Sequence, residues 1–395
     1  MAPSTPRIAA ITTLYIPYSH ADVLISKYLR GFPCDDGLHA PRTRIVSLYI
    51  DQIPEKDMGV AIAREFGVPV YPSVEEALNP EGGPVDGVLL VGEHGDYPTN
   101  ELGQVMYPRR VLFERIVKEL ARQGLSVPLF NDKHLSYEWP GAAWMVQAAR
   151  ELRAPFMAGS SLVNCWRRPY LELPIGVQLE AAASISYGPT ESYGFHMLET
   201  LQCMVERRRG GEVGVEAVRC LEGEAVWEWL DENPVHADLT RAAGVSIRKT
   251  TAPWEQVREV VKEPVAFLLR YADGLEAVNL LLNGYSQSFA FAGQTSAGIE
   301  ACEFYLQDGR PYGHFSYLGR NIEEMFLTGE PTYPVERTLL TTGVLAAAMQ
   351  SRHEGHVWLQ TPHLAVCYTP SRLVPHRPMG PEPTGATISP WPPQP

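Results

Sequence analysis

Over residues 1–160, short apolar runs alternate with amphipathic helical stretches, and this alternation restricts the chain to a parallel sheet covered by helices on both faces. The runs are Ile8 to Tyr15, Arg44 to Asp51, Val68 to Tyr71, Val85 to Val91, Ser126 to Phe130 and Ala154 to Ala158. Helices are expected from about Ser19, from Asp57 to Phe66, from Pro108 to Gln123 and from Gly141 to Leu152, with a helical turn over Ser73 to Leu78. Gly67 and Gly124 stand where a left-handed residue ends a helix. Val111, Leu112, Ile116, Val117 and Leu120 form the apolar stripe of the third helix.

Sheets of this kind bind ligands beyond the carboxyl ends of their strands. Those ends here carry Tyr15, Tyr18, Ser19 and His20; then Asp51 and Gln52; then Gly92-Glu93-His94-Gly95-Asp96-Tyr97; then Asn131-Asp132-Lys133-His134; then Gly159-Ser160-Ser161. The tips are far more titratable than the strands that feed them. The first turn, Ile16-Pro17-Tyr18, lacks the G-x-G-x-x-G that lets backbone approach a pyrophosphate, and Pro17 has no N–H to offer one.

From Leu171 the pattern changes to β-rich stretches at Val177 to Ser186, Gly214 to Trp229 and Ala266 to Leu282. The last is split by Ala272-Asp273-Gly274, a hairpin signal. Glu300 to Leu306, Asp308-Gly309 and the residues after them read as another hairpin. A helix is expected over Gly194 to Arg207, laid on this mostly antiparallel sheet, and a strong one over Val335 to Ser351. Three segments follow: an α/β domain at 1–160, an α+β substrate and oligomerisation domain at 161–370, and a proline-rich tail at 371–395, expected extended or disordered.

A net charge of −13 argues against a nucleic-acid partner, and the Arg207-Arg208-Arg209 run reads as a solvated helix end. Six scattered cysteines, none in a C-x-x-C pair, point to reduced thiols in a cytoplasmic protein. The start MAPSTPRIAA lacks signal-peptide character, and no 18-residue apolar run suggests a membrane span. A nucleophile elbow and a Walker loop are both absent.

Lys133 directly follows a buried strand, where a lysine in a partly dry cleft can exchange its proton. His196 opens a helix with Glu199 on its face and Glu191 in the preceding turn, a setting for proton transfer in which Glu191 orients the imidazole. His20, His94 and His134 could meet across the sheet edge with Glu93 and Asp132, a donor set that suits a metal ion although no spacing specifies one. Arg167 follows the sixth strand and could hold a substrate hydroxyl or carboxylate.

The chain resembles the glucose–fructose oxidoreductase/inositol dehydrogenase-like (Gfo/Idh/MocA) family over most of its length, to about Pro370. The phrase Glu65-Phe66-Gly67-Val68-Pro69-Val70-Tyr71-Pro72-Ser73-Val74-Glu75-Glu76-Ala77-Leu78, then Val85-Asp86-Gly87-Val88, is similar to the family's E-F-G-V-P-x-Y-x-S-x-E-E-L and V-D-A-V. Asp132-Lys133-His134 stands at its E-K-P, and Gly188 to His196 at its G-P-x-x-D-x-G-x-H, with Ser192 in place of the aspartate. Thr342-Gly343 to Ser351 matches a closing t-G-x-L-x-A-x-x-x-S pattern. The resemblance implies a Rossmann-like domain, then a domain whose open sheet makes homo-oligomer contacts. It implies a sugar- or cyclitol-like substrate, NAD(P), and proton handling by Lys133 and His196, with Arg167, His94 and His134 at the substrate and Asp51, Gly92 and Asn131 at the cofactor. Oxidoreductase activity is the leading expectation. A lyase, isomerase or hydrolase that has lost NAD(P), with or without a metal, is the alternative, and a catalytically silent binding protein the second alternative.

Overall fold

Each early strand ends where a polar tip begins, and each returning helix lays an apolar stripe back over the sheet; the parallel layer follows from that repetition. The computed structural model describes residues 5–307 and 312–378. Its elements run β1 (Arg7–Leu14), α1 (Ser26–Arg30), the small hairpin β2 (Phe32–Cys34) and β3 (Gly37–His39), β4 (Arg44–Gln52), α2 (Gly59–Glu65), α3 (Val74–Ala77), β5 (Gly87–Val91), α4 (Arg109–Gln123), β6 (Leu129–Asp132), α5 (Trp139–Leu152) and β7 (Phe156–Gly159). The second region holds β8 (Trp166–Arg168), β9 (Leu179–Ser186), α6 (Thr190–Val205), β10 (Val215–Glu222), α7 (Glu224–Glu232), α8 (Pro234–Ser246), α9 (Val257–Val260), β11 (Val265–Tyr271), β12 (Glu276–Leu281), β13 (Phe289–Thr295), β14 (Gly298–Tyr305), α10 (Gly313–Thr328), α11 (Val335–His353) and β15 (Leu359–Gln360).

The first sheet is parallel in the order β4-β1-β5-β6-β7, so the chain reverses direction across β1 and leaves a crevice at the carboxyl ends of β1 and β5. Local signals act as expected. Ser73 caps α3 by accepting from the Glu76 N–H at 3.1 Å, while its hydroxyl donates to Glu76 Oε1 at 2.8 Å. Gly124 ends α4 in the left-handed region at φ 69°.

The second sheet is mixed and mostly antiparallel, ordered β15-β10-β11-β12-β9-β13-β14-β8, with β12 and β9 as its parallel pair. Its inner face packs on α6 and α11 through Phe195, Leu201, Phe267, Phe291 and Leu345. Helix α10 returns to the first sheet, placing Leu318, Ile322 and Phe326 in the core with Ile8 and Tyr28.

Several expectations are corrected. Gly214 to Trp229 is strand only to Glu222; Val226, Trp227 and Leu230 follow helical spacing in α7. Helices α7 and α8 cover the sheet's outer face, with Trp227, Leu239 and Ala243 against Ala183, Ile185 and Ala290. The centre of the face expected to make oligomer contacts is therefore filled by the chain itself. Pro128 and Pro155, which have no N–H for a ladder, delay the fifth and sixth strands to Leu129 and Phe156. Asn131 and Asp132 thus lie within β6. Val68 to Tyr71 shrinks to one bridge at Val70 beside Pro69, and Val111 is exposed while Phe113 takes its place in the core. Strand β14 pairs upstream with β13, and helix α10 stands where the second hairpin arm was expected; Asp308-Gly309 lies outside the described residues.

Arg207 and Arg208 of the arginine run are buried rather than solvated, while Arg209 is exposed as expected. Arg208 meets Glu212 at 2.9 Å and Asp273 at 2.7 Å, and Arg207 meets Glu172 at 3.1 Å. Residues 371–378 dock on the body, with Arg377 on Glu172 and the His376 carbonyl accepting from Asn321 at 2.6 Å; the rest of the expected tail lies outside the described residues. All six cysteines are free, five of them buried. Among the described residues, no helix is long and apolar enough to cross a membrane.

Candidate active site

The glycine-free turn after β1 closes on itself. Tyr15 is fully buried, and its hydroxyl lies 2.6 Å from Ser26 Oγ. A Cβ on Gly59 would come within 2.7 Å of the Tyr15 Cβ, so that glycine makes room for the tyrosine. Ser19 Oγ accepts from the Ile16 N–H at 3.2 Å and donates to the Ile16 carbonyl at 2.7 Å. The Tyr18 N–H donates to Asp22 Oδ2 at 2.9 Å. Asp22, only 1% exposed, thus puts a carboxylate at the start of the helix, where a bound anion would otherwise sit.

Next to this turn the strand tips assemble a charged cluster. Lys133 takes a left-handed conformation at φ 61°, fixed by its N–H donating to the Gly159 carbonyl at 3.0 Å. Its ammonium donates to Glu93 Oε1 at 2.8 Å. Glu93 also accepts from Arg109, which is wholly buried at the start of α4. Burial alone would raise the Glu93 carboxyl, but Lys133 and Arg109 hold it well below the usual carboxylate range. Arg109 reaches on to His134 Nε2 at 2.9 Å, and Glu191 Oε1 lies 3.2 Å from the same nitrogen.

His20 lies across the cleft from this group. Its Nδ1 is 2.6 Å from Asp132 Oδ2, and its ring centroid is 5.4 Å from that of His94. Burial, then the neighbouring His20, pushes His94 down to about 4. Burial, then Lys133, holds His196 well below the usual imidazole range, and burial with Arg109 lowers His134. These three imidazoles are neutral near pH 7. A cavity of about 620 Å³ opens among His20, Glu93, His94, Lys133, Glu191 and Tyr193.

Of the expected site residues, Lys133, His94 and Glu191 line this cavity, and His134 touches Glu191. His196 is tied through Nδ1 to Ser160 Oγ at 2.6 Å; Glu191 meets His134 rather than orienting His196. Arg167 lies away from the cleft, buried against Glu172 at 2.8 Å and Cys203 at 3.5 Å, because β8 turns it into the second domain's core. Asn131 is wholly buried and spends its amide on the Asp132 and His134 carbonyls at 3.1 and 3.2 Å, so it shapes the tip rather than meeting a ligand. The space above Gly92 is filled by Arg109, whose Cγ would sit 2.6 Å from an added Cβ. Asp51 accepts from the Tyr49 and Tyr97 hydroxyls, each at 2.7 Å. Arg109 was not singled out by sequence, and neither was the pairing of His20 with Asp132, which stood in the expected metal-donor set and not as a base and its partner. The three tip histidines with Glu93 and Asp132 do not converge on a metal-sized point; among the described residues Cys34, Asp36 and His39 alone do so, on the β2–β3 hairpin.

Parallel sheet, mixed sheet and a cleft at the carboxyl tips define a two-domain fold of the dehydrogenase type. The particular fold is that of the Gfo/Idh/MocA family. The scyllo-inositol dehydrogenase of Lactobacillus casei superposes with a TM-score of 0.57 at 12% identity, over 91% of this chain and 99% of that one. The same enzyme with bound NAD(H) and scyllo-inositol gives 0.55 at 11%, over 90% and 99%. GenD2 of gentamicin A biosynthesis, in complex with NAD, gives 0.54 at 14%, over 91% and 99%. The sequence itself matches no family model and no curated protein.

The residues present do not fit a pyrophosphate at the first turn. Its N–H groups are taken by Ser19 and Asp22, Tyr15 fills the space beneath, and the Asp22 carboxylate would repel a second anion. The acidic group at the end of β4 is likewise occupied by tyrosine hydroxyls.

Proposed function

We propose that this chain is an acid–base enzyme acting on a small polyol- or sugar-like molecule in the cleft, with no dinucleotide at the first turn. One observation carries the reading: an imidazole–carboxylate pair, His20–Asp132, and an ammonium–carboxylate pair, Lys133–Glu93, border one cavity. Asp132 accepts from Nδ1–H and so leaves the lone pair on His20 Nε2, the arrangement of an oriented general base. Glu93 accepts from Lys133 Nζ, and the amine's other N–H groups are donors for a substrate oxygen. On a substrate of this class that carries a carbonyl, such as an open-chain sugar or a keto-cyclitol, His20 would take a proton from the carbon beside it, leaving an enol. Lys133 would give one to the carbonyl oxygen, for isomerisation, or to a departing hydroxyl, for dehydration. Each positioned group is worth about 10²–10⁴ in rate. His196 and Ser160 position the β7 tip beside Lys133, and Arg109 positions His134.

The polyol class is supported by the scyllo-inositol bound in the similar L. casei enzyme. The same likeness, with NAD(H) bound there, supports a second reading, an NAD(P)-dependent oxidoreductase in which Lys133 handles the hydroxyl proton. Titration of NADH and NADPH by fluorescence separates the two. The first reading expects no binding at about millimolar nucleotide, together with dehydration or isomerisation of some member of a sugar and cyclitol panel. Saturable micromolar binding would overturn it. For an active substrate, His20→Asn and Lys133→Met should each lower kcat at least about a hundredfold; unchanged turnover in both removes the site assignment.

A further inference from the structure

The outer face of the second sheet is covered by α7 and α8 only as far as its last strands, and a second cavity of about 410 Å³ opens at that margin. Register fixes its floor. Glu303 on β14 pairs with Arg168 on edge strand β8 and with Ala290 on β13, while the flanking Cys302 and Phe304 point to the opposite, inner core. Glu303 is 3% exposed; it accepts from Arg168 Nε at 3.0 Å and from Ser288 Oγ at 2.7 Å. Tyr305 lies beneath the same guanidinium, 4.5 Å from the ring centroid.

Two features of this cavity are not accounted for by the fold. Ser286, 7% exposed and part of the lining, has a buried hydroxyl with no hydrogen-bond partner among the described residues. An orphan hydroxyl of this kind costs free energy unless something else fills the bond. Lys249 also lines the cavity and has no ion pair among the described residues. Arg168 pairs with Glu303, and Lys249, which is exposed, brings its ammonium to the lining beside the hydrogen-bonding side chains of Thr250, Gln287 and Ser286. The volume suits a small metabolite.

We propose that this cavity is a second ligand site, separate from the catalytic cleft, for a small hydroxylated anion: a carboxylate or phosphate carried on a polyol-sized body. Lys249 meets the anionic group, and Ser286 takes a hydrogen bond from or to the ligand. The proposal is independent of the acid–base reading, because its residues lie on the other face of the sheet from His196 and its neighbours.

Calorimetric titration of the full chain with D-gluconate, glucose 6-phosphate and D-glucose tests it. One of the two anions should bind at one per chain, at least about tenfold tighter than the neutral sugar, and which anion binds separates the carboxylate source from the phosphate source. Lys249→Gln should weaken that binding about tenfold. Ser286→Ala should weaken it too while leaving the denaturation midpoint unchanged or higher, since it deletes an orphan hydroxyl. His20→Asn should leave it unchanged. The proposal is overturned if neither anion binds below about 10 mM, if both cavity variants bind like the parent, or if His20→Asn abolishes binding and so places the ligand in the catalytic cleft.

Discussion

Replacing Glu93 should destabilise the fold far more than replacing Lys133, although the two side chains touch. Glu93 is the shared partner of two buried cations, Lys133 at 2.8 Å and the wholly buried Arg109. Glu93→Gln leaves both cations without their carboxylate, and an uncompensated buried charge typically costs about 3–5 kcal/mol. Lys133→Met removes only the second cation. Glu93 keeps Arg109, the pair stays neutral, and the methionine retains most of the lysine stem, so the cost should stay below about 1 kcal/mol. Glu93 is held below the usual carboxylate value of 4.5, so its contribution is fully present above that pH and is lost as pH falls through the lower folded value. The gap between parent and Glu93→Gln should therefore be constant from neutral pH down to about 4.5 and close only below it. Urea titrations followed by tryptophan fluorescence measure both quantities. A Lys133→Met variant as unstable as Glu93→Gln would mean that the lysine is kept for packing, and the argument that it is available for chemistry would fail.

Three further outcomes are expected. His94, pushed from 6.5 down to about 4 by burial and then by His20, is neutral in the fold; the unfolded chain binds the extra proton between those values, so stability is fully present above pH 6.5 and falls by about 3 kcal/mol as pH drops toward 4. His94→Gln should flatten that part of a pH series of urea midpoints, and an unchanged slope would show that the acid sensitivity lies elsewhere. Gly92→Ala should cost about 1–3 kcal/mol, because its Cβ would stand 2.6 Å from Arg109 Cγ and the buried arginine has nowhere to go; a neutral result in thermal unfolding would contradict that contact. Asp132→Asn should lower kcat for any identified substrate about as much as His20→Asn and shift the acid limb of the pH–rate profile, whereas a purely structural aspartate would change the denaturation midpoint and leave the profile in place.

How far the sequence carried the argument differs between layers. The alternation of apolar strand and polar tip was enough for the first sheet and for the gathering of Glu93, His94, Lys133 and His134 at one edge, because parallel strands place all their carboxyl ends on one side. Strand boundaries slipped where Pro128 and Pro155 interrupt the ladder. The cover formed by α7 and α8 was missed because the strand pattern of Val215 to Glu222 was carried on through Val226, Trp227 and Leu230, whose i, i+1, i+4 spacing is helical. Pairing was the least legible layer. His20 and Asp132 are 112 positions apart, and only strand order brings them to 2.6 Å. Arg167 failed for the complementary reason: proximity in sequence to the β7 tip says nothing about the face of β8 on which its side chain lies.

A pyrophosphate at the first turn would lie against Asp22, a carboxylate that is 1% exposed. In so dry a setting, like charges repel strongly enough to exclude the ligand. Asp22 also has a positive use, since it satisfies the Tyr18 N–H that an anion would otherwise take, while at the β6 tip Asp132 pairs with His20. A turn built for a dinucleotide would need the Asp22 carboxylate removed, which would free the Tyr18 N–H for an anion. The fold of a dehydrogenase can therefore persist while its first turn serves the opposite electrostatic purpose, which is why the function follows from the tip chemistry and not from the scaffold.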